Sequence, residues 1–207
     1  MKKWLADLAI VQKEVGVVPW ICPSNNFIND RTSDFWAQNF DQCDALWGDA
    51  ATLVPWAVYQ SSGDVSILEQ QYESMKAWVE TEKQLADIVE EDSPRYIWKH
   101  GMQLGDWLAP GKDINDWTDC AKWTSTAYYA HSAQILGKTE DAATYDALFH
   151  TVCQSFRDTF VEPDGHITDG FQSIYALALR FGLLLPEQRP RALRDLLGDI
   201  RTRGNHL

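Results

Sequence analysis

Two kinds of apolar patterning alternate along the chain: stripes at helical spacing, and stretches that are apolar on most sides. At the start, "MKKWLADLAIVQKEVG" sets Trp4, Leu8, Val11 and Val15 at steps of four, three and four, which predicts an amphipathic helix. A second helix is expected from about Asp49, a good N-cap residue, to about Gln60, ahead of "SSGD". Pro55 lies beyond its first turn and predicts a kink or a later start. Ser66-x-x-Glu69 reads as a capping box for a third helix running to about Ile88, with Leu68, Tyr72, Met75 and Val79 in a row. A fourth helix is expected over about Thr118 to Leu136, closed by Gly137. A fifth covers Glu140 to Phe160, with Tyr145, Phe149, Val152, Phe156 and Phe160 on one stripe. Phe171 to Leu184 is apolar on most sides and should be deeply buried. After Pro186 a last amphipathic helix is expected to turn Leu193, Leu196, Leu197 and Ile200 inward and to stop at Gly204.

No segment alternates strictly enough to predict a strand. The result is an all-α chain of about seven helices, in which apolar ones near 50–60, 121–136 and 171–184 alternate with amphipathic ones. Antiparallel hairpins explain such alternation, one member lining a centre and the other facing water. No short repeat is present, which disfavours a solenoid of the TPR kind and leaves a helical toroid of hairpins. Two long connections, about Gly16 to Gly48 and "EEDSPRYIWKHGMQLGDWLAPGKDINDW", follow outer helices and lead into inner ones. Both should therefore gather on one side of the ring. Connections of this length are usually functional or disordered.

Composition narrows the choice of partners. With 207 residues, 45% hydrophobic and 23% charged, the chain has the make-up of an ordinary globular protein. A net charge of −12 excludes nucleic-acid binding, which needs clustered Lys and Arg, and the arginines between Arg189 and Arg203 read as a solvated helix face. There is no run of about 18 apolar residues, so no membrane span is expected. Lys2 and Lys3 precede an apolar stretch, but Asp7 interrupts it and "QKE" stands where a cleavage site belongs, so no targeting segment is read. Cys22, Cys43, Cys120 and Cys153 lie far apart without a CxxC pair, which points to free buried thiols in a reducing compartment, the cytoplasm. No metal or cofactor motif is apparent.

The chemistry concentrates in two related segments. "LWGDA" (Leu46 to Ala50) and "LGDWLAP" (Leu104 to Pro110) each place a tryptophan beside a Gly-Asp pair. An indole face packs against the C–H side of a sugar ring, and an adjacent carboxylate accepts its hydroxyl hydrogen bonds. Glycine lets the backbone come close to a ligand. Acidic, Trp-rich loops on a helical scaffold therefore suit a neutral carbohydrate. The plainer readings are that Asp49 caps a helix and that Trp47 anchors a loop.

In order along the chain, "ALWGDAATLVPWAVYQSSGDVSILEQQYESMKAWVE", "GDWLAP", "STAYYAHSAQILGK", "YALALRFGLL" and "RGNHL" resemble the helical catalytic domain of bacterial α-L-rhamnosidases, glycoside hydrolase family 78. The resemblance implies an (α/α)6 toroid and an inverting hydrolysis that releases terminal L-rhamnose from rhamnosylated oligosaccharides or glycosides. It also assigns Trp47 and Trp107 to the family's rhamnose subsite. Asp49 and Asp106, beside them, become candidate hydroxyl ligands, with capping or a supporting role as alternatives. His206 matches the histidine of the "RG-x-HL" segment.

The family's general acid, a glutamate in a motif like "DCPQR-E-LGWTGD", and its general base, another glutamate, have no counterpart here. Residues 1–207 are accordingly expected to be part of an (α/α)6 catalytic domain, about half of the ring, truncated at both ends and inactive in isolation. The first helix begins without a capping residue and the chain stops three residues past Gly204, which fits that expectation. The remainder of the same polypeptide is then the expected partner. Two other classes stay open: a different (α/α)6 glycosidase or lyase, with Asp41, Asp44, Asp49 or Asp106 catalytic, and a non-catalytic carbohydrate-binding or interaction module.

Overall fold

The structure is a computed structural model. It describes residues 1–23, 44–88, 94–99, 103–106, 121–138 and 141–205. Among these lie seven helices: α1 (Lys2–Val15), α2 (Ala50–Ser62), α3 (Ser66–Ala86), α4 (Ala121–Leu136), α5 (Ala142–Phe160), α6 (Gln172–Phe181) and α7 (Arg189–Thr202). The β pairing among the described residues is one isolated bridge, Val161 to Ile167.

Short reversals make the hairpins. Gly63, at φ +69°, ends α2 in the left-handed conformation that glycine adopts without strain, and α3 starts three residues later. α2 packs on α3, α4 on α5 and α6 on α7, while α2, α4 and α6 also pack in series. An inner row of α2, α4 and α6 is thus backed by α3, α5 and α7, and α1 lies against α2 and α3. α4 is buried on nearly all sides, as its apolar pattern requires. Ala127, Ala130 and Ala133 are fully buried on it and allow close helix approach. Its serine and threonine hydroxyls are satisfied internally: Ser125 Oγ donates to the Trp98 carbonyl at 2.7 Å, and Thr126 Oγ1 accepts the Trp98 N–H at 3.1 Å. On α5 the predicted stripe of Tyr145, Phe149, Val152, Phe156 and Phe160 is buried throughout.

Several local expectations change. The buried face of α1 is Leu5, Leu8 and Gln12, whereas Val15 is exposed. The helix is rotated because Gln12 is gripped by Ser74 of α3, donating to its carbonyl at 3.1 Å and accepting from its hydroxyl. The start of α3 is held by Asp64 rather than by a Ser66–Glu69 box: Asp64 Oδ1 accepts the Ser66 N–H at 3.0 Å and its hydroxyl at 2.6 Å. Pro55 sits buried inside a helix that begins at Ala50. Gly137 follows the last residue of α4 as expected, and is also a close-approach point, since a Cβ there would lie 3.2 Å from the Asp146 backbone nitrogen of α5. On α7, Ala192 is buried while Leu193 and Leu197 are exposed. Arg191 and Asp195 fix that rotation, pairing with each other at 2.9 Å and with Asp164 and His166 of the turn before α6.

Phe156 is fully buried and packs edge-on against Phe160 at 5.2 Å. Phe156→Ala should lower the unfolding free energy by about 3–5 kcal/mol, measurable by denaturant titration.

Candidate functional site

Asp49, at the head of α2, is fully buried. Its Oδ2 accepts the Leu46 N–H at 2.8 Å, and its Oδ1 accepts the Ser132 hydroxyl of α4 at 2.5 Å and the Trp78 indole N–H of α3 at 3.2 Å. One carboxylate therefore joins three helices to the turn in front of it. The turn is shaped to match: Leu46 lies at φ +76°, and a Cβ on Gly48 would fall 2.0 Å from the Trp78 ring. Burial pushes Asp49 above the ordinary carboxylate range, against the hydrogen bonds from Ser132, Leu46 and Trp78.

The same turn is tied to the second tryptophan segment. The Ala45 N–H donates to Gln103 Oε1 at 2.8 Å, and the Leu104 N–H donates to the Asp44 carboxylate, whose oxygens lie at 3.2 and 3.4 Å. Asp44 is 1% exposed, and burial pushes it up to about 7, with the Asp49 charge adding to the rise and the Leu104 amide opposing it. Beyond Leu104, Gly105 presses on the first turn of α4, where a Cβ would meet the Ala121 Cα at 3.0 Å. Asp106 follows, half-buried, and accepts the Ser173 hydroxyl at the start of α6. The two Gly-Asp motifs thus meet at the end of the inner row where α4 and α6 begin.

Trp47 stands on the outward side of the turn, 36% exposed, with Trp20 stacked on it at a centroid distance of 6.3 Å and an angle of 29°. Beside them a hollow of about 430 Å³ is lined by Trp4, Pro19, Trp20, Leu46, Trp47 and other residues. Trp4 Nε1 donates to the Cys22 carbonyl at 2.8 Å, so its ring is fixed in that wall.

Of the candidate ligands, Trp47 and Asp106 lie on neighbouring, hydrogen-bonded segments at one end of the molecule. Asp49 lies beneath the surface, its oxygens already engaged, so it holds the turn and offers no accessible acceptor. Trp107 and His206, like Asp41, Cys43 and Cys120, lie outside the described residues. Sequence reasoning missed the bonds that Gln103, Ser173 and Asp44 make between segments. Each is an ordinary polar residue whose importance depends on a partner some 60 positions or more away. Trp4 and Trp20 carried a usable signal, since ten tryptophans in 207 residues is a high count. Among the described residues no group of three or more His, Cys, Asp or Glu is placed to hold a metal ion, and no described helix is long and apolar enough to cross a membrane.

Inner helices backed by outer ones in three hairpins, with a tryptophan-lined, acid-bearing end, are what a piece of a six-hairpin glycosidase domain presents. The family profile described as the bacterial alpha-L-rhamnosidase 6 hairpin glycosidase domain matches residues 1–207, and the chain belongs to that family. An α-L-rhamnosidase of Formosa agariphila is 32% identical over 99% of this chain and 21% of its own length. The crystal structure of Streptomyces avermitilis α-L-rhamnosidase complexed with L-rhamnose superposes with a TM-score of 0.75 at 28% identity, covering 98% of this chain and 18% of that one. Native α-L-rhamnosidase from Aspergillus terreus gives a TM-score of 0.78 at 27% identity, over 100% of this chain and 23% of that one. The chain spans about a fifth of the length of the curated relatives it matches.

Gly48→Ala should lower the unfolding free energy by about 1–3 kcal/mol or more, because Trp78 has no room to retreat without breaking its bond to Asp49. Thermal melts followed by tryptophan fluorescence would register it. A second outcome concerns pH. Asp44 keeps its proton in the folded state up to about 7, while the unfolded chain releases it near 3.8, so between those values the folded state binds more protons. Folding stability should therefore fall as pH rises from about 4 to 7, by on the order of 1 kcal/mol per pH unit. Denaturant midpoints across that range check this. The carboxylates held low, Asp64 at about 2 and Asp141, Asp195 and Asp199 below the usual range, act in the opposite sense only below this window.

Proposed function

We propose that the chain forms part of a glycoside hydrolase that removes terminal α-L-rhamnose from rhamnosylated oligosaccharides or glycosides by inverting hydrolysis, and that it supplies walls of the sugar site. In this reading its three hairpins are half of the six-hairpin ring. The observation that carries the reading is the tie between the two tryptophan motifs, Ala45 to Gln103 and Asp44 to Leu104, which sets Trp47 and Asp106 on adjoining segments. Family membership and the L-rhamnose bound in the Streptomyces relative support the choice of sugar.

Each residue then has a physical role. The exposed indole of Trp47, backed by Trp20, packs against the C–H face of the deoxyhexose. Asp106 accepts a sugar hydroxyl, with Trp107 next to it and His206 as a further contact. Asp49 acts from below by holding Leu46, and hence Trp47, in place. Inversion needs two carboxyl groups roughly 6.5–9.5 Å apart, one protonating the glycosidic oxygen while the other takes a proton from the attacking water. Asp44 and Asp49 are buried in hydrogen bonds that build the turn, and neither is open to solvent for proton transfer. We place the reacting carboxyl groups elsewhere in the same polypeptide, the remaining partner of these hairpins. The free thiols Cys22 and Cys153 support a reducing, cytoplasmic setting.

The test is Trp47→Ala in the intact protein, assayed with an aryl α-L-rhamnoside. Loss of one stacking platform should raise KM by about threefold to tenfold. Unchanged kinetics would remove Trp47 from the sugar site.

A further inference from the structure

We infer that Asp44 is a positioning residue for the sugar site, fixing the 103–106 segment that carries Asp106 against the turn that carries Trp47. This inference rests on the function proposed above. Asp44 touches no sugar in this arrangement. It lies in the seam, 1% exposed, and works with both ends of the residue. Its carbonyl accepts the Gly48 N–H at 2.9 Å and closes the Trp47 turn, while its carboxylate takes the Leu104 N–H of the facing segment.

The segment beyond that bond has little slack. Leu104 is separated from Asp106 by Gly105 alone, which sits at φ +54° where a Cβ would crowd Ala121 and Thr124 of α4. Asp106 in turn is fixed to Ser173 of α6. A displacement at Leu104 cannot be absorbed by Gly105 without losing the contact with α4, so it passes to Asp106. The Ala45 to Gln103 bond runs parallel to the Asp44 tie but carries no charge.

The charge on Asp44 decides how readily the seam closes, because burial disfavours the ionised form more than the Leu104 amide favours it. As a carboxylate it gives the Leu104 amide a charge-assisted bond. As a neutral acid it offers a weaker carbonyl acceptor and a hydroxyl that an N–H cannot use. Burial and the Asp49 charge bring that change to about pH 7. Asp49, on the same turn, is the charged group that bears on Asp44; it is itself faced by Glu82 of α3 and by Tyr128 of α4. From the 103–106 segment Asp44 meets the neutral Leu104 amide. The closed seam favours the protonated form by linkage, so sugar affinity should fall as pH passes upward through about 7.

The experiment uses the intact protein and L-rhamnose, with affinity measured by calorimetry between about pH 5.5 and 8.5. Wild-type affinity should weaken about threefold to tenfold across the range, as ionisation of the buried acid loosens the seam. Asp44→Asn, which keeps an acceptor but cannot ionise, should hold near the acid-limb value at every pH, and its difference from the wild type in hydrolysis should appear in KM rather than kcat. In the wild type, the hydrogen-exchange protection of the Leu104 amide, corrected for intrinsic exchange, should step down over the same pH range. Identical pH profiles for wild type and variant would overturn the inference, and so would a Leu104 amide whose protection does not change with pH. If the intact protein binds no L-rhamnose at any pH, the proposed function fails instead, and the Leu104 amide still decides the role of Asp44 without any substitution.

Discussion

Around the buried carboxylate of Asp49 the first two hairpins and the Trp47 turn share a single set of hydrogen bonds. Ser132 reaches it from α4, Trp78 from α3 and the Leu46 amide from the turn itself. An acid so deeply buried is tolerated because its donors are supplied from several directions, and removing any one would leave a buried polar group unmatched. The geometry of the tryptophan wall follows from this centre. Leu46 accepts a left-handed backbone because its N–H is held, and Gly48 is bare of a side chain because Trp78 must pass over it to reach Asp49. Trp47, between them, is left facing outward.

The acidic groups at this end of the molecule divide into two kinds for that reason. Asp44 and Asp49 are inside, engaged with backbone and side-chain donors. Asp106 is half-buried and, among the described residues, accepts the Ser173 hydroxyl. The sequence presents all three as similar aspartates in loops, and burial separates the two that build the turn from the one that is partly exposed. The proposed function agrees with this division, since walls that bind a neutral sugar need acceptors and flat rings, whereas the proton transfers of inversion need exposed carboxyl groups with unequal environments.

Legibility in the sequence depended on how local the deciding force was. The α5 stripe was fully readable because five apolar residues at helical spacing meet one wall, and nothing polar competes for that face. The rotation of α1 was not, since Gln12 looks like a solvent residue until Ser74, 62 positions later, supplies both its partners. The inward face of α7 was misjudged for a similar reason. Leu193 and Leu197 outweigh Ala192 in apolar surface, yet the Arg191–Asp195 pair is anchored on the turn at Asp164 and His166, and this fixes the helix with the small residue inward. The start of α3 shows the limit at short range: Ser66 and Glu69 have capping-box spacing, but Asp64 captures the Ser66 donors first, and is itself held by Lys2 of α1.

At the site, the tryptophan and Gly-Asp motifs were legible as chemistry, while their juxtaposition was not. Nothing in "DALWGD" says that Asp44 will reach across to Leu104, or that Gln103 will meet Ala45. Those bonds form because α4 extends beyond the head of α2, as Ser132, far along α4, stands level with Asp49 at the start of α2. The protruding first turns of α4 need cover for their polar groups, and the 94–99 and 103–106 segments provide it, through Trp98 on Ser125 and Thr126 and through Gly105 on Ala121. Once laid along α4, those segments can meet the Trp47 turn only at the seam where Asp44 lies. The stagger of two inner helices is thus what converts two distant sequence motifs into one surface.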